Sequence, residues 1–200
     1  MDASPVMSKY IPAIVVGFLV ALLVSAGLAF FFSSAGADAG YLPLMVGAFL
    51  GVFTAYIIAN LAGTKLGKAA TREQKQAVLG FSPEPGHALL IVYREGFVGK
   101  AAGMDLSVDD RFVAQLKSPR FTAVSVSPGG HQLSMAFRGL AGKQSKPTVE
   151  GFIAAPGDAI AFRATMQMGM MKNSIVVERI TTDQDLVRRL TMMIMIAPEA

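Results

Sequence analysis

Residues 10–64 read YIPAIVVGFLVALLVSAGLAFFFSSAGADAGYLPLMVGAFLGVFTAYIIANLAGT, and Asp38 is the only charged residue among them. It separates two uncharged stretches, residues 10–37 and 39–64. Each stretch exceeds the roughly 20 apolar residues that a helix needs to cross the core of a bilayer. We therefore predict two transmembrane helices, over residues 10–32 and 41–62.

The composition of the whole chain agrees with a membrane protein. Of its 200 residues, 52% are hydrophobic and 16% are charged, whereas soluble domains are about 45–50% apolar and about 25% charged. This balance argues against a soluble, a disordered or a nucleic-acid-binding protein. The chain contains no cysteine, which excludes a lipid-modified cysteine, a disulfide and a thiolate metal site. Ala35-Gly36-Ala37 leaves open the alternative of a cleaved signal peptide.

The basic residues predict the orientation of the helices in the membrane. The connection between the two stretches has no Lys or Arg, whereas four basic residues follow the second stretch. Because Lys and Arg near membrane ends stay on the cytoplasmic side, we expect both termini in the cytoplasm. The same four side chains are candidate contacts for lipid head groups: Lys65, Lys68, Arg72 and Lys75. The alternative is that these four residues only fix the orientation of the helices in the membrane, which requires no contact with lipid head groups.

Small residues recur at every fourth position in both predicted helices, which places them along one face. The short connection requires the helices to pack as an antiparallel hairpin. We predict that the helix-packing residues are Gly17, Ala21, Ser25, Gly47, Gly51 and Ala55. A homo-oligomer built on the same residues is an open alternative. Residues 64–80 are expected to extend the second helix into the cytoplasm, up to Gly80.

The pattern of the chain changes from helical to strand-like after Pro83-Glu84-Pro85-Gly86. Short runs of apolar or alternating residues follow at regular spacing and are separated by Pro and Gly turns, which is typical of a β-sandwich. The predicted strands cover residues 87–94, 104–108, 112–116, 120–126, 132–137, 148–154, 159–168 and 174–180. Thr181-x-x-Gln184 resembles a capping box and predicts a C-terminal amphipathic helix.

Part of this domain resembles a bacterial domain-of-unknown-function family that is common in lipoproteins. The resemblance rests on 88–94 with Phe97-Val98-Gly99, on 106–116, on Pro128-Gly129-Gly130-His131 and on Pro156-Gly157-Asp158. It covers about residues 86–190 and implies an antiparallel β-sandwich without an established activity.

The chain departs from that family at three places. It has no lipobox cysteine, Asp109-Asp110 replaces an Asp-Gly turn, and Ala161 and Phe162 stand where tyrosines are expected. The exported, lipid-anchored setting of the family is therefore not carried over to this chain.

Few residues in the sequence are candidates for a catalytic, metal-binding or ligand-binding site. His131 follows the Pro-Gly turn, where we expect it to brace the turn rather than bind a metal. Met166, Met168 and Met170 fit the inner face of a strand better than a copper site. Arg94 is expected to pair with Glu95 or Glu150 as a structural anchor, or to mark a binding surface. We predict no catalytic residue, no metal and no cofactor.

These observations together predict the fold class and the function. We expect a membrane α-helical hairpin of two transmembrane helices (residues 1–64), a basic juxtamembrane helix and linker (65–86), and an all-β antiparallel sandwich with the C-terminal helix (87–200). The protein is predicted to be a non-enzymatic, two-pass protein of the bacterial inner membrane. Its partners would be the lipid bilayer and another protein or a second copy, but no nucleic acid. The alternative is an accessory subunit of a membrane transport or channel complex.

Overall fold

The computed structural model describes residues 10–61, 67–97, 99–100, 102–137, 147–167, 169 and 173–199. The chain divides into two compact units, Met1–Gly63 and Thr64–Ala200. The first unit is helical, and the second contains two β-sheets and two short helices.

The first unit is a hairpin of two long apolar helices, α1 (Ile11–Ser34) and α2 (Leu42–Leu61). This confirms the predicted hairpin. Pro12 and Pro43 lie in the first turns, where proline removes no intrahelical hydrogen bond. Neither helix has an apolar face and a polar face, because apolar side chains surround both of them. By length and composition, both helices are candidate membrane spans.

The two helices approach closely where their small residues meet. A Cβ atom built on Gly51 would lie 2.5 Å from the carbonyl oxygen of Gly17 and 2.7 Å from the Cβ of Ala21. A Cβ atom on Gly17 would likewise lie 2.6 Å from the carbonyl oxygen of Gly51 and 2.7 Å from the Cβ of Ala55. One helix turn away, Gly47 packs against the backbone of Ala21 and against Ser25. The structure thus brings all six predicted helix-packing residues together within the hairpin.

The second unit contains two sheets that enclose the main hydrophobic core. The four-stranded sheet has the order β3-β2-β5-β6 and is antiparallel throughout. The five-stranded sheet has the order β8-β7-β1-β4-β9. The strand bounds are β1 (Ala88–Arg94), β2 (Met104–Val108), β3 (Arg111–Leu116), β4 (Arg120–Val126), β5 (Gly129–Phe137), β6 (Thr148–Ala154), β7 (Ala159–Gln167), β8 (Ser174–Ile180) and β9 (Ile194–Met195).

The prediction of a purely antiparallel domain is wrong, because the five-stranded sheet is mixed. Strand β7 runs parallel to β1, and β9 runs parallel to β4. Strands β1 and β7 are far apart in sequence, so no turn between them could show their relative direction. Strand β9 has only two residues, which is too short for a recognisable pattern.

The outer face of the five-stranded sheet is covered by two short helices, α3 (Arg72–Leu79) and α4 (Gln184–Met192). Their side chains form a second core with residues of β1, β4 and β7. Strand β1 belongs to both cores: Leu90 and Val92 face the four-stranded sheet, whereas Leu89, Ile91 and Tyr93 face the helices. Burial on both faces explains why the first six residues of this strand are all aliphatic or aromatic.

The segment after α2 is described from Gly67 onwards, and from there it is not the predicted extension of that helix. Ala69 forms an antiparallel bridge with Ile196. Helix α3 starts separately after Thr71, whose extended backbone and hydroxyl form a capping box with Gln74. The Thr-x-x-Gln spacing of residues 71–74 is the signal that the sequence analysis missed.

The C-terminal helix is present, but its cap differs from the prediction. The side chain of Asp183, not that of Thr181, accepts a hydrogen bond from the amide of Leu186. The chain leaves the helix at Met193 and continues as β9. Asp183 is the better cap because its carboxylate reaches the N3 amide directly, at 3.0 Å.

We expect Gly51→Leu to weaken the hairpin by roughly 1–3 kcal/mol, because a larger side chain would force the two backbones apart. The chain has no native cysteine, so dyes can be attached through Ile11→Cys and Ile57→Cys. Energy transfer between the dyes, followed during an SDS titration, should fall at a lower SDS fraction in the variant.

Gly27→Leu is the matched control, since nothing lies within 4 Å of a Cβ atom built on Gly27. Equal SDS midpoints for the two variants would show that the close approach at Gly51 does not stabilise the hairpin.

Candidate functional site

The four predicted lipid-contact residues have different surroundings. Lys65 lies outside the described residues, and the side chains of Lys68 and Arg72 are exposed. The ammonium of Lys75 instead donates hydrogen bonds to the carbonyl oxygens of Thr191 and Met193, both at 2.7 Å. Lys75 therefore binds the C-terminal end of α4, where a cation is favoured by the helix dipole.

Arg94, at the end of β1, is a fully buried cation. Its guanidinium donates hydrogen bonds to the carbonyl oxygens of Gly99, at 2.6 Å, of Leu116, at 3.0 Å, and of Ala102. Its Cζ atom also lies 5.6 Å from the centre of the Phe137 ring. Burial lowers the pKa of Arg94 to about 10, so the side chain stays charged at neutral pH.

The contacts of Arg94 correct the predicted pairing with Glu95 or Glu150. Its partners are backbone carbonyls of the loop between β1 and β2 and of the end of β3. Glu95 is instead bound by Arg163, at 3.2 Å, and by Arg189, at 3.6 Å. Arg94 is thus a structural anchor, which is one of the two roles expected from the sequence. Its acceptors are backbone carbonyls, which every residue carries, so the sequence pattern could not identify them.

The anchored loop presents an aromatic side chain to solvent. Arg94 holds the carbonyls of Gly99 and Ala102, while the hydroxyl of Ser118 donates to the carbonyl of Gly96, at 2.8 Å. Between these fixed points, the side chain of Phe97 is 89% exposed. Hydrogen bonds thus fix the backbone on both sides of Phe97, which lowers the ordering entropy that a contact through its ring would cost.

At the opposite end of the domain, Asp109 and His131 form a hydrogen-bonded pair. Asp109 lies in the β2–β3 turn, in which Asp109 and Asp110 both adopt positive φ. The Nδ1 atom of His131 lies 2.6 Å from the Asp109 carboxylate, and its Nε2 atom lies 2.7 Å from the carbonyl oxygen of Ser127. The His131 side chain braces the Pro-Gly turn, as the sequence predicted.

The chemistry of this pair favours a charged imidazole. A carboxylate and a carbonyl can both accept from His131 only when both ring nitrogens carry a proton. The hydrogen bond to Asp109 raises the pKa of His131 above its ordinary value, and the same bond lowers the pKa of Asp109. With a protonated imidazole the pair is an ion pair that links the β2–β3 turn to the Pro-Gly turn.

Two clefts flank the pair. One, of about 630 Å³, lies between strands β6 and β8 and is lined by Gly151, Phe152, Ile153 and Arg179 in addition to His131. The other, of about 500 Å³, lies between β3 and β4 and is lined by Val113, Val124 and Val126, by polar residues of the adjoining turns, and by Pro198 and Glu199. Neither position could be read from the sequence, because each cleft is lined by several strands and turns that meet only in the folded domain.

The remaining candidates do not assemble into a chemical site. In the part of the chain that the structure describes, no three His, Cys, Asp or Glu residues are placed to hold a metal ion. Met166 packs against the main core, whereas Met168 and Met170 lie outside the described residues.

We expect Arg94→Met to destabilise the β-domain by about 2–5 kcal/mol, because three carbonyl oxygens would lose their shared donor. Unfolding of the detergent-solubilised full chain, followed by circular dichroism, measures this loss. Arg163→Met is the control: its ion pairs lie at the surface, so its expected cost is below about 1 kcal/mol. Equal costs for the two variants would contradict the anchoring role of Arg94.

We expect His131→Gln to reduce stability in a pH-dependent way. The raised pKa of His131 contributes stability below about pH 6.5, and this contribution is lost as the pH rises through the pKa of the folded state. The lowered pKa of Asp109 contributes above about pH 4 and is lost as the pH falls. The stability difference should therefore be largest near pH 5–6, at about 1 kcal/mol because Asp109 is half exposed.

Thermal unfolding of the full chain across pH 4–9 measures this difference. His87→Gln is the control, since within the described residues its exposed ring has a single hydrogen-bond contact, with the carbonyl oxygen of Pro85 at 3.3 Å. A difference that does not change between pH 5.5 and pH 9 would refute the ion-pair assignment.

Comparison with known proteins adds little to this geometry. No protein-family model matches the chain, so the resemblance to the lipoprotein-associated family stays a prediction. An uncharacterized protein of Haemophilus influenzae is 35% identical over 66 residues, which are 33% of this chain and 39% of that protein. The chain thus matches well under two thirds of that relative's length, and the similarity is distant and partial.

Proposed function

We propose that this protein is a non-enzymatic, membrane-anchored module whose β-domain binds a partner protein. The anchor is the helical hairpin of α1 and α2. In the most apolar 18-residue stretch of each helix, only 6% of the residues of α1 and 17% of those of α2 are buried within the protein. Exposed apolar side chains such as Phe30, Phe49 and Val52 would be costly in water but are suited to a lipid environment.

We further propose that the anchor lies in a bacterial inner membrane with the β-domain in the cytoplasm. The support is the distribution of charge, because four basic residues follow α2 and none lies between α1 and α2. A reporter that is active only in the periplasm, fused after residue 200, should give no signal. A strong signal would reverse the proposed orientation.

The observation that carries the binding function is the open edge of β6. This strand ends the four-stranded sheet, so among the described residues no strand pairs with the outer side of its backbone. Val149 and Ile153 on it are 55% and 76% exposed. Edge strands are normally protected by charges, proline or short length, because an exposed apolar edge readily pairs with another strand. On β6, Glu150 is the only charged residue.

The neighbouring cleft gives room for such a strand. Strands β6 and β8 meet at one end, where the Thr148 hydroxyl donates to the carbonyl of Ile175, at 2.9 Å. Towards the other end they enclose the cleft of about 630 Å³, with Ile153 on one side and Arg179 on the other. An extended segment could pair with β6 and fill this opening, a recognised mode of peptide binding.

The residues of the cleft define the chemistry of the partner. Ile153 lines the cleft, and its exposed side chain offers apolar surface to an added strand. Arg179 is exposed, and among the described residues it forms no ion pair. We therefore propose an extended partner segment with alternating apolar residues and a carboxylate facing Arg179.

An accessory role in a transport or channel complex stays a prediction with less support. It required the small residues of the helices to pack against a larger membrane partner. In the structure, these residues contact one another within the hairpin, so they are not available for that packing.

A photo-reactive amino acid in place of Ile153 tests the proposal in intact cells that make the full chain. We expect a discrete adduct with one protein, attached within an extended segment that mass spectrometry can identify. Val149→Lys should abolish this adduct, because a charge on the edge opposes strand pairing. Both positions are exposed, so the fold should tolerate the changes.

Two controls separate binding at β6 from chance collision. The same photo-reactive residue in place of Lys117, at the far end of the domain, should not give the adduct. Ser134→Lys, on the neighbouring strand β5, should leave it intact. If positions 153 and 117 give the same adducts, or position 153 gives none, β6 is not the binding edge.

A further inference from the structure

We propose that the end of the β-domain that carries Phe97 docks onto an anionic lipid surface. We call this surface the basic end and define it by six residues: Phe97, Lys100, Lys117, Arg120, Met192 and Ile194. The inference goes beyond protein binding at β6, and it rests on the membrane-anchoring part of the proposed function.

The six residues belong to one continuous surface. The amide of Ser118, next to Lys117, donates to the carbonyl of Lys100, at 3.4 Å, so these two loops touch. Arg120 lies opposite Ile194 in the β4–β9 pairing. Met192 and Pro119 line a shared cleft of about 550 Å³, which joins the end of α4 to the same loops.

The apolar part of the basic end is unusually exposed for a folded domain. Phe97, Met192 and Ile194 are 89%, 81% and 53% exposed. The backbone beneath Phe97 is fixed by Arg94, and β9 holds Ile194 beside β4. Apolar side chains of this kind, next to cations, are typical of surfaces that enter the head-group region of a bilayer.

The charges of the basic end complement anionic lipid. Lys100, Lys117 and Arg120 form no ion pair with any residue that the structure describes, so their charges are available to a ligand. The nearby carboxylate of Glu95 does not offset them, because Arg163 and Arg189 bind it. Each Lys or Arg near a membrane of anionic lipids contributes on the order of a fivefold gain in binding.

The opposite end of the domain has the opposite charge balance. The turns there carry Glu84, Asp109, Asp110, Asp158 and Asp183, against Arg111 and Arg179. A domain with this asymmetry turns its basic end towards a negative surface. Docking would leave the other end, with the cleft beside β6, directed away from the lipid.

The covalent structure favours lipid over other anionic partners. Only five residues, 62–66, join the described end of α2 to Gly67. If α1 and α2 span a bilayer, a connection of this length keeps the β-domain close to the lipid surface. The effective concentration of lipid at the basic end is then high. A nucleic acid or an acidic protein has no such advantage.

The chain contains no tryptophan, so Phe97→Trp places a single fluorescent probe at the basic end. The full-length variant is reconstituted in nanodiscs of phosphatidylcholine with 30% phosphatidylglycerol, in which one lipid carries bromine on its acyl chains. We expect the bromine to quench the Trp emission. Ile153→Trp, at a site that is also largely exposed and lies beside the β6 cleft, should be quenched much less.

The dependence on charge tests the proposed ligand. Replacing Lys100, Lys117 and Arg120 by Gln in the Phe97→Trp protein should lower the docking equilibrium constant roughly a hundredfold, at about fivefold for each charge. Raising the salt to 0.5 M should act in the same direction without any substitution, which covers the case in which the triple variant does not fold.

Three results would overturn the proposal. They are equal quenching of the two tryptophans, quenching that is the same in pure phosphatidylcholine, and quenching that persists in high salt. Protection of the basic end only after an acidic protein is added would assign this surface to that protein instead. None of these results bears on the adduct formed at Ile153, so the two proposals fail separately.

Discussion

The fold of the β-domain depends on one constraint, the burial of strand β1 on both faces. All seven of its residues are buried, and they alternate between the core that lies between the sheets and the core beneath α3 and α4. Full burial of a strand requires neighbours on both edges, which β4 and β7 provide. The third layer of helices then follows, because without it Leu89, Ile91 and Tyr93 would face water.

The same strand also explains the arrangement of the charged groups. The core ends at Arg94, the last residue of β1, and the hydrogen-bond donors of this buried guanidinium must find acceptors other than water. Backbone carbonyls of the β1–β2 loop and of the last residue of β3 supply the acceptors, so the loop is held against β3 by the cation that they solvate. A buried charge is costly unless its donors are used in this way. The exposed position of Phe97 is a result of this arrangement and not of an unstructured loop.

The sequence predicted the features that local pattern encodes. The hairpin followed from two uncharged stretches, and the strands at 120–126, 148–154 and 174–180 have the predicted bounds. The features that it did not predict depend on residues that only the tertiary fold brings together. They are the parallel contact of β1 with β7, the carbonyl ligands of Arg94, and both clefts beside His131. Two local signals were misread, since Thr71 starts a new helix and Asp183 caps the last one.

The two ends of the second unit are joined to each other. Ala70 donates its amide to the carbonyl of Met195, and Ala197 donates to the carbonyl of Lys68. Residues 68–70 are therefore paired with residues 195–197, across the whole sequence of the β-domain. During synthesis the helices of the hairpin are made before any strand of the β-domain, whereas the β-domain closes only after β9 has been made. Folding is thus ordered in time: the hairpin can form while the chain is still growing, and the β-domain is completed only when β9 pairs with β4.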